Sequence, residues 1–147
     1  MNAYQSKISL RLRHPSLDPT EITSALHLNA SRSGRAGEPR TTPTGRRLQG
    51  ENRESYWAAR LIEGRWPPTG LAVLLGHVLD QLAPHRHFLH GFRSQGGTIE
   101  LFVGWFFDGQ SGDVFDCDLL ARMADLKIGL SLDIYGPDAP PLQPGES

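Results

Sequence analysis

The sequence predicts an α+β domain, namely a mainly antiparallel sheet of four to five strands with two or three helices packed on one face. Short runs that alternate apolar and polar residues indicate the strands, and a longer run with helical apolar spacing indicates a central helix. Clusters of glycine, proline and aspartate separate these runs. A chain of 147 residues suits a single domain, which we assign to residues 1–136. The proline-rich residues 137–147 are expected to form a disordered tail.

The first strand is predicted at residues 7–13, where alternation places three aliphatic side chains on one face (Ile8, Leu10 and Leu12). Pro15 ends this strand. A helix is then predicted to begin at Pro19, since proline is favoured at the first helical position. Asp18 is a suitable N-cap, and Glu21 can complete a capping box. These residues predict a strand followed by a helix, and all of the roles assigned to them are structural.

Residues 30–54 lack the aliphatic side chains that a buried element needs, apart from Leu48. Glycine, serine, threonine, proline and arginine dominate, so we predict a long flexible loop that is either functional or mobile. Its arginines suit phosphate or carboxylate groups, because a guanidinium presents a planar fork of N–H donors. The predicted binding residues are Arg35, Arg40, Arg46, Arg47 and Trp57. A solvated loop without a ligand is the alternative interpretation.

A second strand is predicted at residues 56–62, with Trp57, Ala59 and Leu61 on one face. The best helix is predicted at residues 70–83, with Thr69 as its cap and Pro84 as its end. A single apolar stripe runs along it (Leu71, Leu74, Leu75, Val78, Leu79 and Leu82). A further helical turn or two are expected before Gly96-Gly97, with three apolar residues (Phe88, Leu89 and Phe92).

The strongest strand is predicted at residues 98–107, because apolar residues occupy both of its faces. One face carries Ile99, Leu101, Val103, Trp105 and Phe107. Phe102 and Phe106 fall on the opposite face, which helices on one side of the sheet cannot cover. We therefore predict a homodimer related by a two-fold axis, with Phe102 and Phe106 at the interface. The alternative is that the chain's own edge loops cover these two rings.

A third helix is predicted to begin at Asp116 or Asp118, which are favoured capping residues, and to close at Gly129. A last strand follows at residues 130–135. Its apolar side chains are expected to face inward (Leu130, Leu132 and Ile134).

The two halves of the chain differ in charge. Residues 1–70 carry 11 Lys+Arg and 6 Asp+Glu, whereas residues 71–147 carry 4 and 10. Such asymmetry can indicate an anion-binding face, but nucleic acid is an unlikely partner because no recognition motif or aromatic platform accompanies the arginines. The single cysteine, Cys117, cannot form an internal disulfide, and no apolar run is long enough to span a membrane. We therefore expect a cytoplasmic protein without membrane contact.

Two clusters contain metal-ligating residue types, and neither predicts a metal site. On a helix, His87 and His90 of the cluster 85–90 would share a face, with Asp80 nearby, but zinc usually needs three or four ligands. The acidic residues of the later glycine-rich loop do not match the spacing of a calcium-binding loop (Asp108, Asp113, Asp116 and Asp118). Turn formation and helix capping explain those aspartates. No metal or cofactor is predicted.

Several segments together resemble one family. The most specific is Asp18-Pro19-Thr20-Glu21-Ile22-Thr23, and the others are Ile8-Ser9-Leu10-Arg11-Leu12, Gly37-Glu38-Pro39-Arg40, Tyr56-Trp57 and Leu132-Asp133-Ile134-Tyr135. The chain is similar over residues 5–136 to the uncharacterised bacterial family called domain of unknown function 4279. It departs from that pattern at His27, where a glycine is expected, and in its arginine-rich loop, which is longer than expected. The resemblance implies a small cytosolic α+β protein without an established activity, and it assigns no catalytic residues.

The leading functional hypothesis is a non-enzymatic binding or protein-interaction module, because the sequence offers surplus aromatic residues and a long charged segment but no catalytic constellation. A toxin-neutralising, immunity-type role is one version, which the small size and unequal charge would suit. A metal-dependent enzyme that uses the histidine cluster 85–90 is the first alternative. A binder of anions or nucleic acid through the loop arginines is the second.

Overall fold

The structure is a computed structural model that describes residues 6–64, 70–106 and 112–136. The strands within these ranges are β1 (Ser6–His14), β2 (Arg32–Gly34), β3 (Pro39–Thr41), β4 (Arg47–Glu51), β5 (Ser55–Gly64), β6 (Thr98–Phe106) and β7 (Ile128–Tyr135). The helices are α1 (Pro19–Leu26), α2 (Leu71–Leu82), α3 (Arg86–Ser94) and α4 (Cys117–Asp125), and a 3-10 turn (Ala83–His85) joins α2 to α3. None of the described helices has the combination of length and apolar composition that spanning a bilayer demands.

Five strands form one sheet in the order β2–β5–β1–β6–β7. The central strand β1 is antiparallel to both β5 and β6, whereas β7 is parallel to β6. Helix α4 lies between β6 and β7 in the chain, as a parallel pair needs a crossover connection. Strands β3 and β4 pair with each other in a separate hairpin. This arrangement confirms the predicted α+β class and the mainly antiparallel sheet.

The core lies between the sheet and the helices. On β1, the alternating residues Ile8, Leu10 and Leu12 are fully buried, and they join β6 residues such as Leu101 and Val103 in one hydrophobic cluster. The predicted apolar stripe of α2 is buried against the same cluster. Alternation on strands and helical spacing on α2 therefore place the core as the sequence predicts.

Helix α1 begins as predicted. The Oδ1 atom of Asp18 accepts a hydrogen bond from the backbone N–H of Thr20 at 3.0 Å, and Pro19 occupies the first helical position. The helix ends at His27, whose φ of 56° lies in the left-handed region. That region favours glycine, because a Cβ atom crowds the following carbonyl oxygen. The position where the sequence departs from its family resemblance is therefore a helix end that suits glycine.

The segment 30–54 contains strands β2, β3 and β4, so it is not the irregular loop that its composition indicates. These strands are short and largely exposed, and they therefore carry no apolar alternation that a sequence pattern would reveal. Turn hydrogen bonds define the hairpin instead: the backbone N–H of Thr42 donates to the carbonyl of Arg46 at 2.8 Å, and Gly45 N–H donates to the Thr42 carbonyl at 2.9 Å. Gly45 supplies the positive φ that this turn needs.

Two helix boundaries differ from their predicted positions. Helix α2 begins at Leu71 and not at residue 70, because Gly70 occupies the position before the helix. The cap predicted for this helix, Thr69, lies outside the described residues. Helix α4 begins at the predicted cap Asp116, but it ends at Asp125 rather than at Gly129. Lys127 adopts the left-handed conformation that ends the helix, with a φ of 64°, and Gly129 already lies in β7.

The last strand also differs from the sequence prediction. Ile134 lies on the helix side of the sheet, in register with Trp105, but it is 56% exposed and not buried, because β7 is the outermost strand of the sheet. In β5, a β-bulge opposite Ile8 and Ser9 shifts the register, so that Leu61 is only half-buried. Predictions for Phe107, Asp108 and the tail 137–147 fall outside the described residues.

Candidate functional site

The face of the sheet opposite the helices carries a charged and aromatic row along its central strands. The Arg11 guanidinium on β1 lies 3.8 Å from the centre of the Phe102 ring on β6, and its Nη1 atom lies 3.5 Å from a carboxylate oxygen of Glu100. Burial lowers the pKa of Arg11, and the neighbouring Glu100 opposes that effect. The Arg11 guanidinium therefore covers the Phe102 ring and is not a freely solvated surface cation.

Phe102 and Phe106 lie on this open face, where the sequence places them. They are only 4% and 9% exposed in the single chain. Arg11 covers Phe102, and the ring of Tyr135 stacks on Phe106 with 4.6 Å between ring centres. Both rings therefore leave little surface for a second copy, and an interface at these residues stays a prediction.

The most exposed basic surface lies on the hairpin formed by β3 and β4. We call residues 39–53 the arginine hairpin, because it carries four arginines (Arg40, Arg46, Arg47 and Arg53) and one acidic residue, Glu51. All four arginines are exposed. In residues 6–64, 70–106 and 112–136, no carboxylate lies within ion-pair distance of these guanidinium groups.

Six arginines elsewhere in the described chain behave differently. Arg11, Arg13, Arg35, Arg60, Arg86 and Arg122 each pair with a carboxylate. The Arg86 pair with Asp125 is bidentate, with two N–O distances of 2.9 Å, and this hydrogen bonding raises the pKa of Arg86 and lowers that of Asp125. Most of these ion pairs join separate parts of the fold, the Arg60–Glu63 pair within β5 being the exception. In the hairpin, Arg40 donates from Nη1 to the carbonyl of Gln49 at 3.2 Å, which links β3 to β4 without a carboxylate.

A groove of about 590 Å³ lies where the arginine hairpin meets the ends of β1 and β5. Its polar lining includes Arg13, Arg40, Asn52, Arg53, Glu54 and Tyr56. Arg13 and Tyr56 also line a smaller cavity of about 130 Å³ next to it on the open face of the sheet, which Arg32 and Arg11 complete. The two cavities therefore share Arg13 and Tyr56 as lining residues, and the smaller one is also lined by Leu12, Trp57 and Ala58.

The base of the hairpin is fixed by hydrogen bonds. The backbone N–H of Gly37 donates to the Asn52 carbonyl at 2.9 Å, and Asn52 N–H donates to the Glu38 carbonyl at 2.8 Å. The side-chain amide of Asn52 also donates to the carbonyl of Arg35 at 3.1 Å. These bonds fix the backbone at the base of the hairpin beside the groove.

The structure brings together only some of the residues predicted from sequence. Arg40 lines the groove, Arg46 lies in the hairpin turn and Arg47 begins β4, while Arg35 pairs with Asp18 at 3.5 Å at the hairpin base. Trp57 lies apart from them, buried in the core, where its indole N–H donates to the Thr23 hydroxyl at 3.0 Å.

Sequence reasoning did not select several residues of the groove, chiefly Arg13, Asn52 and Tyr56. The alternation of the first strand places Arg13 on its polar face, and that signal would have found it. Asn52 carries no comparable signal, because its role depends on the contact that it makes across the hairpin base.

The histidine cluster does not form a metal site in the described structure. His87 is exposed, and His90 makes a hydrogen bond through Nε2 to the backbone carbonyl of Asp125. Asp80, the predicted third group, pairs with Arg122 on α4. Throughout the described ranges, no three His, Cys, Asp or Glu side chains converge as a metal site requires.

Comparison with known proteins identifies a family but no activity. No curated protein matches the chain, and no solved structure matches it. Residues 3–137 match a domain of unknown function, DUF4279, which covers nearly the whole fold described above. The chain is therefore a member of the DUF4279 family.

Proposed function

We propose that this domain is a non-enzymatic protein-interaction module, which binds an acidic partner through the arginine hairpin and the groove beside it. The observation that carries the proposal is that no carboxylate of the described structure lies within ion-pair distance of four exposed guanidinium groups (Arg40, Arg46, Arg47 and Arg53). A guanidinium is well suited to carboxylates, because its N–H groups match the two carboxylate oxygens.

The geometry of the hairpin supports recognition of a partner. Its base is fixed by the hydrogen bonds of Gly37 and Asn52, and its turn by those of Thr42 and Gly45. A surface that is ordered before binding loses less conformational entropy when the complex forms. The groove adds a concave polar surface, which provides shape as well as charge.

The charges in the groove favour a protein over a nucleic acid. Glu54 pairs with Arg13 at 3.4 Å, and Glu51 also lines the groove. These carboxylates would repel a continuous phosphate backbone, whose binding depends on a high local density of cations. A partner that presents separated acidic and polar groups fits this mixed surface better. A toxin-neutralising role is one version of the proposal, with the acidic partner as the toxin.

The proposal is tested by fluorescence anisotropy with a labelled peptide in which glutamates alternate with serines, at low and high salt. We expect wild-type protein to bind the peptide, and the variant Arg40→Gln, Arg46→Gln, Arg47→Gln, Arg53→Gln to lose about tenfold or more in affinity, since four ion pairs contribute up to about 1 kcal/mol each. Rising salt should weaken the wild-type affinity.

A matched pair of single variants controls for charge alone. Arg93 on α3 is exposed and has no described carboxylate partner, so Arg93→Gln removes the same charge as Arg47→Gln at a different place. Only Arg47→Gln should weaken binding. Equal effects of the two variants, or no binding by wild type, would overturn the proposal. Tighter binding of a single-stranded oligonucleotide than of the peptide would instead support the nucleic-acid alternative.

A further inference from the structure

Strand β7 forms an edge of the five-stranded sheet, with β6 on its inner side and no strand of the described chain on its outer side. Such an edge exposes a row of unpaired backbone N–H and C=O groups, which proteins usually protect with short strands, charges, proline or bulges. The eight residues of β7 include no proline, no lysine and no bulge, and Asp133 is their one charged residue.

The opposite side of the sheet carries the usual protection. Strand β2 at that edge has only three residues. The part of β5 that extends beyond β2 has a β-bulge and carries the charged pair Arg60 and Glu63. Of the two edges of the sheet, β7 therefore has fewer of the features that usually prevent pairing with another strand.

Helix α4 places apolar surface beside this edge. Arg122 points towards α2, where it contacts Asp80 and the carbonyl of Gly76, and Leu119 is buried against the core. Residues two apart on an α-helix point about 200° apart, so Leu120 faces away from α2, towards the outer side of β7. Leu120 is 49% exposed, and Ile134 on β7 is 56% exposed. The two side chains thus lie on the helix side of this edge.

We propose that β7 pairs antiparallel with β7 of a second copy of this chain, around a two-fold axis near the middle of the strand. The two sheets would join into one of ten strands, and Leu120 and Ile134 of each copy would contact the other copy on the helix side, with Ile134 opposite the first residues of the other copy's β7. Charge favours this orientation. Lys127 and Asp133 are the charged residues of 127–136, and antiparallel pairing brings Lys127 of each copy towards Asp133 of the other. Parallel pairing would place the two Asp133 carboxylates side by side.

Sedimentation equilibrium of the full chain tests this interface. We expect wild type to have twice the monomer mass, and the double variant Leu120→Lys, Ile134→Lys to have the monomer mass, because each copy would place two ammonium groups in the apolar contact. The control is Val73→Lys, Val114→Lys, which changes two other exposed apolar residues away from the β7 edge. This control should remain a dimer with an unchanged circular dichroism spectrum.

A second measurement covers the case in which the Lys variant fails to fold. Backbone amides of β7 in wild-type protein should exchange with deuterium more slowly as the protein concentration rises, whereas the exposed edge of a monomer would show no such dependence. A monomeric wild type, a dimer that survives the Leu120 and Ile134 changes, or loss of the dimer in the Val73 and Val114 control would each overturn the proposal.

Discussion

Asp113 caps helix α2 from 41 residues away in the sequence: its Oδ2 atom accepts a hydrogen bond from the backbone N–H of Ala72 at 2.8 Å. Its other carboxylate oxygen accepts from the N–H of Val114 at 2.7 Å, which fixes the side chain at the helix start. The residue before the helix, Gly70, has a φ of 89°, and a Cβ there would lie 2.9 Å from Oδ2 of Asp113. The glycine therefore gives the carboxylate room to reach the helix.

The first prediction follows from this cap. Asp113→Ala should lower the free energy of unfolding by about 1 kcal/mol, because it leaves a helix N-terminal N–H group without its acceptor. Denaturant unfolding measures the change. Asp113→Asn retains an oxygen acceptor and should cost less. Equal stability of wild type and the alanine variant would show that the capping bond contributes nothing to folding.

The second prediction concerns His27 at the end of α1. His27→Gly should raise the free energy of unfolding by about 1 kcal/mol, because glycine adopts the observed left-handed conformation without the steric cost of a Cβ atom. His27→Ala provides the control, since alanine retains the Cβ and should give no such gain. Thermal unfolding of the two variants compares them directly. A glycine variant no more stable than the alanine variant would mean that contacts of the His27 ring, such as that with His85, compensate for the strain.

The comparison between α1 and α2 shows which features the sequence can predict. Asp18 caps α1 from the adjacent position, so the pattern of neighbouring residues reveals it. The cap of α2 comes from Asp113, and no local pattern connects two residues so far apart in the chain. The same limit applies to β2, β3 and β4, which are too exposed and too polar for periodicity to reveal.

In the candidate site, too, local sequence predicts some features, and others depend on contacts between residues distant in the chain. Composition identifies the arginines of the segment 30–54, because their density is a property of the local sequence. Which of them form ion pairs depends on the fold. Arg35 pairs with Asp18, whereas the four arginines of the arginine hairpin have no described carboxylate partner. Trp57 shows the opposite problem: its aromatic ring suits a binding surface, but strand alternation turns it into the core.

The third prediction concerns the acid stability of the Asp18 cap. Hydrogen bonds from the backbone N–H and the hydroxyl of Thr20 hold the pKa of Asp18 below its ordinary value of 3.8. The unfolded chain therefore binds a proton at a higher pH than the folded chain does. The stabilisation by the Asp18 carboxylate is fully present above pH 3.8 and is lost as the pH falls through the lower pKa of the folded state.

The measurement compares wild type with Asp18→Asn in denaturant at neutral pH and in acid. Wild type should be the more stable protein at neutral pH, and the difference should shrink as the pH falls below 3.8. Asp125→Asn, which removes the bidentate partner of Arg86, should show the same trend, because its pKa is lowered by that arginine. A difference that stays constant across this range would exclude a contribution from the charged carboxylate of Asp18.

The fourth prediction tests whether α2 supports the core as its apolar stripe indicates. Leu75 is fully buried in the cluster between α2 and the sheet, whereas Val73 on the same helix is largely exposed. Leu75→Ala should lower the free energy of unfolding by about 2–5 kcal/mol, because the fold cannot collapse fully into the cavity. Val73→Ala should change it by less than about 0.5 kcal/mol, since Val73 is exposed and lies outside the core cluster. Denaturant midpoints of the two variants provide the comparison, and similar losses at both positions would show that the face of α2 towards the sheet is misassigned.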